Sequence, residues 1–202
     1  MNPLPKLTLI THTPLLQGEA FFSVLEQALA GGLGQVLVRE PMLDSAKLLA
    51  FSSRIRAMTE PYQAKTIIHT QADIARAVGA DGVHVSAADI PHLTKMRAWL
   101  GDTPMMLSAS CHDAAQLQHA ADVGADWAFL SPIFATQSHP EAAALGLNRW
   151  ASLAQASPLP VMALGGIDVH QAQQLSRYPI AVIRALLLAD DVKKVTQALI
   201  SA

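Results

Sequence analysis

Residues able to hold an anion and move a proton gather in one stretch of the chain. Val123 to Gly146 reads V-G-A-D-W-A-F-L-S-P-I-F-A-T-Q-S-H-P-E-A-A-A-L-G. It opens as a helix stop, continues as an apolar strand, and breaks into a loop carrying Ser131, Thr136, Ser138 and His139. Short polar side chains past the carboxyl end of a buried strand are where α/β folds place anionic ligands. His139 and His112 are the candidate proton-transfer groups, because an imidazole titrates near neutrality. Gly165-Gly166 follows P-V-M-A-L and precedes a helix start near Asp168. Glycines there let backbone N–H groups approach a phosphate at a helix N-terminus, whose partial positive charge favours it. Without a ligand, the pair is only a tight turn.

Two arginines stand at the ends of apolar runs. Arg184 closes A-V-I-R and can meet the same phosphate in a bidentate way. Arg39 closes V-L-V-R and leaves the sheet at the same rim, its alternative being a snorkelling surface side chain. His69 and Ser110 end further strand-like runs and join the substrate-binding candidates, with His12 and His84 also placed at strand ends. His92, His119 and His170 read as helix-surface residues, and Thr70 as a helix cap. Cys111 beside His112 suggests a thiolate pair, but adjacent side chains usually point apart. No His, Cys and carboxylate spacing marks a tight metal site. Asp89 can at most help hold a Mg²⁺ that a diphosphate brings with it.

The elements that must position these residues alternate from end to end. Strand-like runs are Leu7–Thr11, Gln35–Arg39, Thr66–His69, Gly82–Val85, Met105–Ser110, Trp127–Leu130, Val161–Leu164 and Ala181–Ile183. Amphipathic stretches lie between them, with Phe21, Phe22, Leu25 and Leu29 on one face and Leu48, Leu49, Ile55 and Met58 on another. Thr70-Gln71-Ala72-Asp73, Asp113-Ala114-Ala115-Gln116 and Asp168-Val169-His170-Gln171 each put a capping residue just after a strand. Gly31-Gly32, Gly79 and Gly124 mark left-handed stops. The phrase V-G-A-D occurs at Val78 and again at Val123, which indicates a reused supersecondary unit; Asp81 and Asp126 fall in the helix-to-strand loops of the opposite rim.

Strict β-α alternation predicts a parallel sheet. Eight strands leave roughly 25 residues per unit, enough for a compact (β/α)8 TIM barrel. The dinucleotide-binding open sheet fails at its first turn, because Ile10-Thr11-His12-Thr13-Pro14 has no glycine cluster. With 202 residues, 51% hydrophobic and 15% charged, the whole chain (1–202) is expected to form one domain with strands buried on both faces. A net charge of -2 without a basic run argues against nucleic acid. Nothing approaches the roughly 20 apolar residues that span a bilayer, and no export signal is legible. The lone Cys111 excludes internal disulfides and suits a reducing cytoplasm, the expected location.

Taken in order, these segments resemble the thiamine phosphate synthase and thiazole tautomerase superfamily over nearly the whole chain. The resemblance rests on V-R-E at Val38–Glu40, A-V-G-A-D-G-V-H-V with Asp89 following, and S-A-S-C-H at Ser108–His112. It continues through Gly124–His139 and A-L-G-G-I at Ala163–Ile167. The S-C-H, S-H-P and A-L-G-G variants are most similar to the barrel fused to certain Nudix hydrolases, so a functional link to such a hydrolase is expected, although no Nudix segment is present.

Synthases of this family join hydroxymethylpyrimidine diphosphate to a thiazole phosphate, with Mg²⁺, basic and amide side chains holding the departing diphosphate. Arg39 and Asp89 match that pattern. Leu37 stands where a glutamine is usual, Pro41 replaces a lysine, His69-Thr70 replaces an Asn-Asp pair, and His139 replaces a second lysine. Losing one preorganised electrostatic contact costs about 3–4 kcal/mol of transition-state stabilisation, so the resemblance implies a depleted diphosphate and Mg²⁺ site. The thiazole-phosphate side is better kept in Thr136, Ser138, Gly165 and Gly166, with Arg184 in place of a serine. The expectation is a thiamine-biosynthesis-type barrel binding a thiazole phosphate or related phosphorylated heterocycle. Alternatives are an active synthase, a proton-transfer enzyme using His139 or His112 (the tautomerase histidine falls at Pro132), and a non-catalytic binding module.

Overall fold

The computed structural model describes residues 4–137 and 141–202. Eight parallel strands close into one barrel in sequence order. They are β1 (Leu7–Ile10), β2 (Gln35–Val38), β3 (Lys65–His69), β4 (Gly82–Val85), β5 (Met106–Cys111), β6 (Trp127–Leu130), β7 (Val161–Leu164) and β8 (Ile180–Val182). Each expected strand is present within a residue or two at its ends. β1, β2, β4 and β6 are buried along their whole length, as strands covered on both faces must be.

Side chains alternate between two apolar compartments, because successive Cβ atoms of a strand point to opposite faces. Ile10, Leu37, Ile67, Trp127, Phe129, Met162 and Ala181 fill the barrel lumen. Leu9, Val36, Val38, Ile68, Val83 and Leu107 instead meet the helices outside. Those helices are α1 (Gly18–Ala30), α2 (Ser45–Thr59), α3 (Ala72–Val78), α4 (Leu93–Leu100), α5 (Ala114–Asp122), α6 (Leu147–Ala156), α7 (Val169–Ala172), α8 (Arg184–Leu187) and α9 (Val192–Ser201). Phe21, Phe22, Leu25 and Leu29 of α1 all face the core. On α2, Leu48 and Ile55 are buried while Leu49 is 40% exposed, so the apolar face there is narrower than the pattern suggested.

Helix termini correct two expectations. Gly79 is a left-handed C-cap at φ 64°, but at the end of α1 Gly31 stays right-handed and Gly32 takes the positive φ of 102°. Thr70 caps nothing. Its own φ is 64°, Gln71 is the residue before α3, and no side chain caps that helix. Asp113 and Asp168 do cap, accepting from Gln116 N at 2.8 Å and from Gln171 N at 3.0 Å.

The recurring V-G-A-D phrase is one device used twice at the amino rim. Asp81 accepts the Thr66 amide at 2.8 Å and pairs with Arg56 of α2 at 3.4 Å. Asp126 accepts the Leu107 amide at 2.6 Å and pairs with Arg97 of α4 at 2.7 Å. The backbone N–H of each aspartate returns to the same residue it grips, Thr66 or Leu107. Each carboxylate thereby locks the start of one strand to the next.

At the carboxyl rim, the indole of Trp150 on α6 donates to the Leu130 carbonyl at 2.7 Å, where β6 ends. Leu145 and Gly146 amides donate to the Pro132 and Ile133 carbonyls, holding the long β6–α6 connection down. Trp150→Phe keeps most of the apolar contact and strands a buried carbonyl. Urea unfolding should show a loss of about 1–2 kcal/mol with an unchanged m-value.

Candidate functional site

A cavity of about 910 Å³ opens at the carboxyl ends of the strands. Ile10, Leu37, Phe129, Leu164 and Ala181 supply apolar lining. Arg39, His69, His84, Ser110 and His112 give polar groups on the β2–β5 side; Thr136, Gly165, Gly166 and Arg184 line the β6–β8 side. Sequence reasoning therefore assembled most of one cavity from residues scattered over the chain. Ser138 and His139 lie outside the described residues.

Arg39 leaves β2 half-buried, its backbone N–H donating to the Thr11 hydroxyl at 2.9 Å. The adjacent Glu40 is buried and turned to the β1–α1 connection, where it accepts from the Thr13 amide at 3.0 Å and hydroxyl at 2.6 Å. Among the described residues neither Arg39 nor Arg184 makes an ion pair, whereas Arg54, Arg56 and Arg97 all do. Arg184 is exposed at the first position of α8.

His84 is the cavity group that sequence reasoning undervalued. Its Nδ1 is 2.9 Å from Ser108 Oγ and its Nε2 is 2.9 Å from Ser110 Oγ. Ser108 donates to the Val83 carbonyl at 3.4 Å, so its oxygen accepts from Nδ1–H and leaves Nε2 to accept from Ser110. Ser110 consequently turns lone pairs, not its proton, toward the cavity. Burial first, then His69 and Arg39, holds the His84 pKa well below the ordinary imidazole range. Strand parity puts His84, Ser108 and Ser110 on the inward face of adjacent strands, but their meeting is set by the register that pairs His84 with Ser108.

His69 also stays neutral. Burial, followed by the charge of Arg39, pushes its pKa down to about 4, with Asp89 offsetting part of that. Its Nδ1 lies 2.9 Å from the Thr70 hydroxyl. Thr70 holds its left-handed backbone, unusual for a β-branched residue, through its amide bond to the His84 carbonyl at 2.8 Å.

His112 donates from Nδ1 to the Ser131 carbonyl at 2.7 Å, since a carbonyl can only accept. That bond fixes the neutral tautomer and leaves the lone pair on Nε2. Cys111 points the other way, into the outer core, and its pKa is raised to about 12 by burial and by Asp113. The thiolate pair is thereby excluded. A thiol-specific disulfide reagent at mildly alkaline pH should label Cys111 only after urea unfolds the chain; labelling of the folded protein at the rate of a small thiol would contradict this burial.

The glycine pair needs a second correction. Gly165 and Gly166 have φ of 107° and 65°. A Cβ on Gly165 would sit 2.7 Å from Pro132 Cβ, and one on Gly166 would collide with the Ala135 carbonyl oxygen. Close approach of the β6 loop thus demands glycine even without a ligand. The next helix, α7, is only four residues long, and Asp168 already takes its His170 and Gln171 amides. The helix N-terminus that the sequence offered to a phosphate is therefore occupied by its own cap; what remains is the Gly166 backbone lining the cavity.

Asp89 is not among the cavity-lining residues. It accepts from Ser86 Oγ at 2.6 Å and stands 3.8 Å from His92. Among the described residues no group of three or more His, Cys, Asp or Glu could hold a metal ion. Mg²⁺ asks for near-octahedral oxygen ligands; Glu141 is the one described carboxylate lining the cavity, Asp89 is bonded to its own helix turn, and the Thr70 hydroxyl is committed to His69, a set that does not fit the ion. No helix among the described residues is long and apolar enough to cross a membrane.

A closed (β/α)8 barrel whose carboxyl rim carries a cavity lined by Arg39, Arg184 and the neutral imidazoles of His69 and His84 has the architecture of a barrel enzyme. The family model described as thiamine monophosphate synthase matches residues 7–186, and the chain belongs to that family. It is 33% identical over 191 residues to the thiamine-phosphate synthase of Chloroflexus aurantiacus, covering 93% of this chain and 87% of the relative. With that of Clostridium tetani it shares 31% over 196 residues, covering 96% and 93%. The solved thiamine phosphate pyrophosphorylase of Pyrococcus furiosus superposes with a TM-score of 0.85 at 27% identity, covering 96% and 93%. A 3-keto-L-gulonate-6-phosphate decarboxylase from Vibrio cholerae, at 14% identity and TM-score 0.71, shares the fold.

Proposed function

We propose that the cavity binds a thiazole phosphate or a related phosphorylated heterocycle, and that its synthase step is weak. The carrying observation is the asymmetry of the lining: Arg184, Gly166 and Thr136 border the β6–β8 side, while Leu37, His69 and Arg39 line the β2–β3 side, which this reading takes as the side where a diphosphate would leave. In this reading Arg184 and the Gly166 amide hold the phosphate, with Thr136 and Ser138 as further donors. The ring rests on the apolar lining near Leu37 and Phe129. Ser110 offers an acceptor to a ligand N–H, and Arg39 is the one cation left for a leaving anion. Thiamine-phosphate synthesis, the activity the relatives are named for, is the natural transferase reaction to test.

A second reading has one observation in its favour. In the neutral imidazole, the bond from His112 Nδ1 to the Ser131 carbonyl puts the lone pair on Nε2 of a residue lining the same cavity, the arrangement a general base needs. His139 is the other proton-transfer candidate. Incubation with hydroxymethylpyrimidine diphosphate and thiazole phosphate, with and without Mg²⁺, tests the proposal beside the Chloroflexus enzyme. Thermal stabilisation by thiazole phosphate with thiamine phosphate formation at least about a hundredfold slower is expected, the consequence of losing one or two contacts worth about 3–4 kcal/mol each. Turnover matching the control, or no stabilisation, refutes it.

A further inference from the structure

We infer that the side of the cavity bounded by β2, β3 and β4 neutralises an anionic group with Arg39 and no divalent cation, and therefore takes a carboxylate or a monophosphate rather than a metal-chelated diphosphate. This rests on the cavity being the ligand site, as proposed above.

The hydroxyls at these three strand ends are already committed to neighbouring side chains. Thr70 Oγ1 faces His69 Nδ1, both nitrogens of His84 face serine hydroxyls, and the Ser86 hydroxyl donates to Asp89. A cation placed here would find no pair of carboxylates, and Asp89 is turned to Ser86 and His92 instead of lining the cavity. It would also stand near the Arg39 charge, which is felt at both His69 and His84 and is only partly offset at His69 by Asp89. Mg²⁺ sheds its water reluctantly and repays that only against well-placed anionic oxygens.

Arg39 is equipped for the opposite role. It lines the cavity, and Thr11 fixes its backbone N–H at 2.9 Å. The nearest carboxylate in sequence, Glu40, is held on Thr13 through its backbone and side chain. A guanidinium presents a planar fork that matches two oxygens of one carboxylate or phosphate. One fork balances a small anion; a diphosphate carries more negative charge than it can neutralise, and the remainder would need a metal cation that these residues do not fit.

The test is isothermal titration calorimetry on the full chain with inorganic phosphate and with pyrophosphate, in EDTA and in millimolar Mg²⁺. Arg184→Gln serves as the background, so that the Arg39 side is read alone. Phosphate should bind in EDTA, and Mg²⁺ should change neither affinity by more than about twofold. Adding Arg39→Gln should weaken phosphate by about tenfold or more, with Arg39→Lys recovering part of it. Circular dichroism and melting of each variant exclude misfolding as the cause.

Mg²⁺ tightening pyrophosphate by about tenfold overturns the inference, as does absent phosphate binding in EDTA or an Arg39→Gln change below about twofold. Wild-type stabilisation by thiazole phosphate is read in parallel. If it persists while Mg²⁺ tightens pyrophosphate, only this inference fails; if it is missing, the functional reading fails with it.

Discussion

Arg184→Gln is expected to weaken a thiazole monophosphate by roughly ten- to thirtyfold, because a charge-assisted hydrogen bond contributes about 1.5–3 kcal/mol and exposure trims the upper end. Arg184 has no carboxylate partner among the described residues, so its removal should leave folding stability nearly unchanged. The loss would thus belong to the ligand. Arg184→Lys keeps the charge but not the fork and should recover only part of the affinity. Calorimetric affinities at low and high salt check both claims, since wild-type binding should fall with ionic strength while the glutamine variant responds less. A change below about threefold would remove Arg184 from the site.

Acidification should begin to destabilise the fold near pH 6.5, through the two depressed histidines. His69 has a folded-state pKa of about 4 against an ordinary value of 6.5. Above pH 6.5 neither folded nor unfolded chain binds this proton. Between pH 6.5 and about 4 the unfolded chain takes it and the folded chain does not, so stability falls as pH falls. Near pH 5 the cost from His69 alone is about 2 kcal/mol. His84, buried and depressed in the same direction, adds to it. Urea unfolding at about pH 7.5 and about pH 5 measures the difference, and His69→Asn should shrink it by about 2 kcal/mol. An identical pH dependence in that variant would show that His69 titrates normally.

The strands were legible because both-face burial leaves an unbroken apolar run, as in V-L-V and W-A-F-L, and because glycines punctuate the helix ends. The cavity list followed from topology alone: in a parallel barrel, whatever follows each strand shares one rim. What escaped depends on register and close packing. The clamp on His84 needs Ser108 and Ser110 to arrive opposite it from the next strand, which no local pattern announces. Gly166 looked like a ligand residue, yet the Ala135 carbonyl alone forbids a side chain there. Thr70 has the chemistry of a cap and lost that role to its backbone angle. Asp168 was rightly read as a cap, and for that very reason withdraws the α7 amides from any ligand.

The paired aspartate locks at the amino rim carry a consequence for how such a chain can diverge. Asp81 and Asp126 bolt neighbouring strands together with help from Arg56 and Arg97, at the end of the barrel remote from the cavity. Residues at and just beyond the strand ends of the cavity side, such as Leu37, His69 and Thr70, can then vary without loosening that frame. Changing a side chain that lines the cavity therefore leaves the strand-to-strand fastening at the far end untouched, and binding can be retuned separately from the frame.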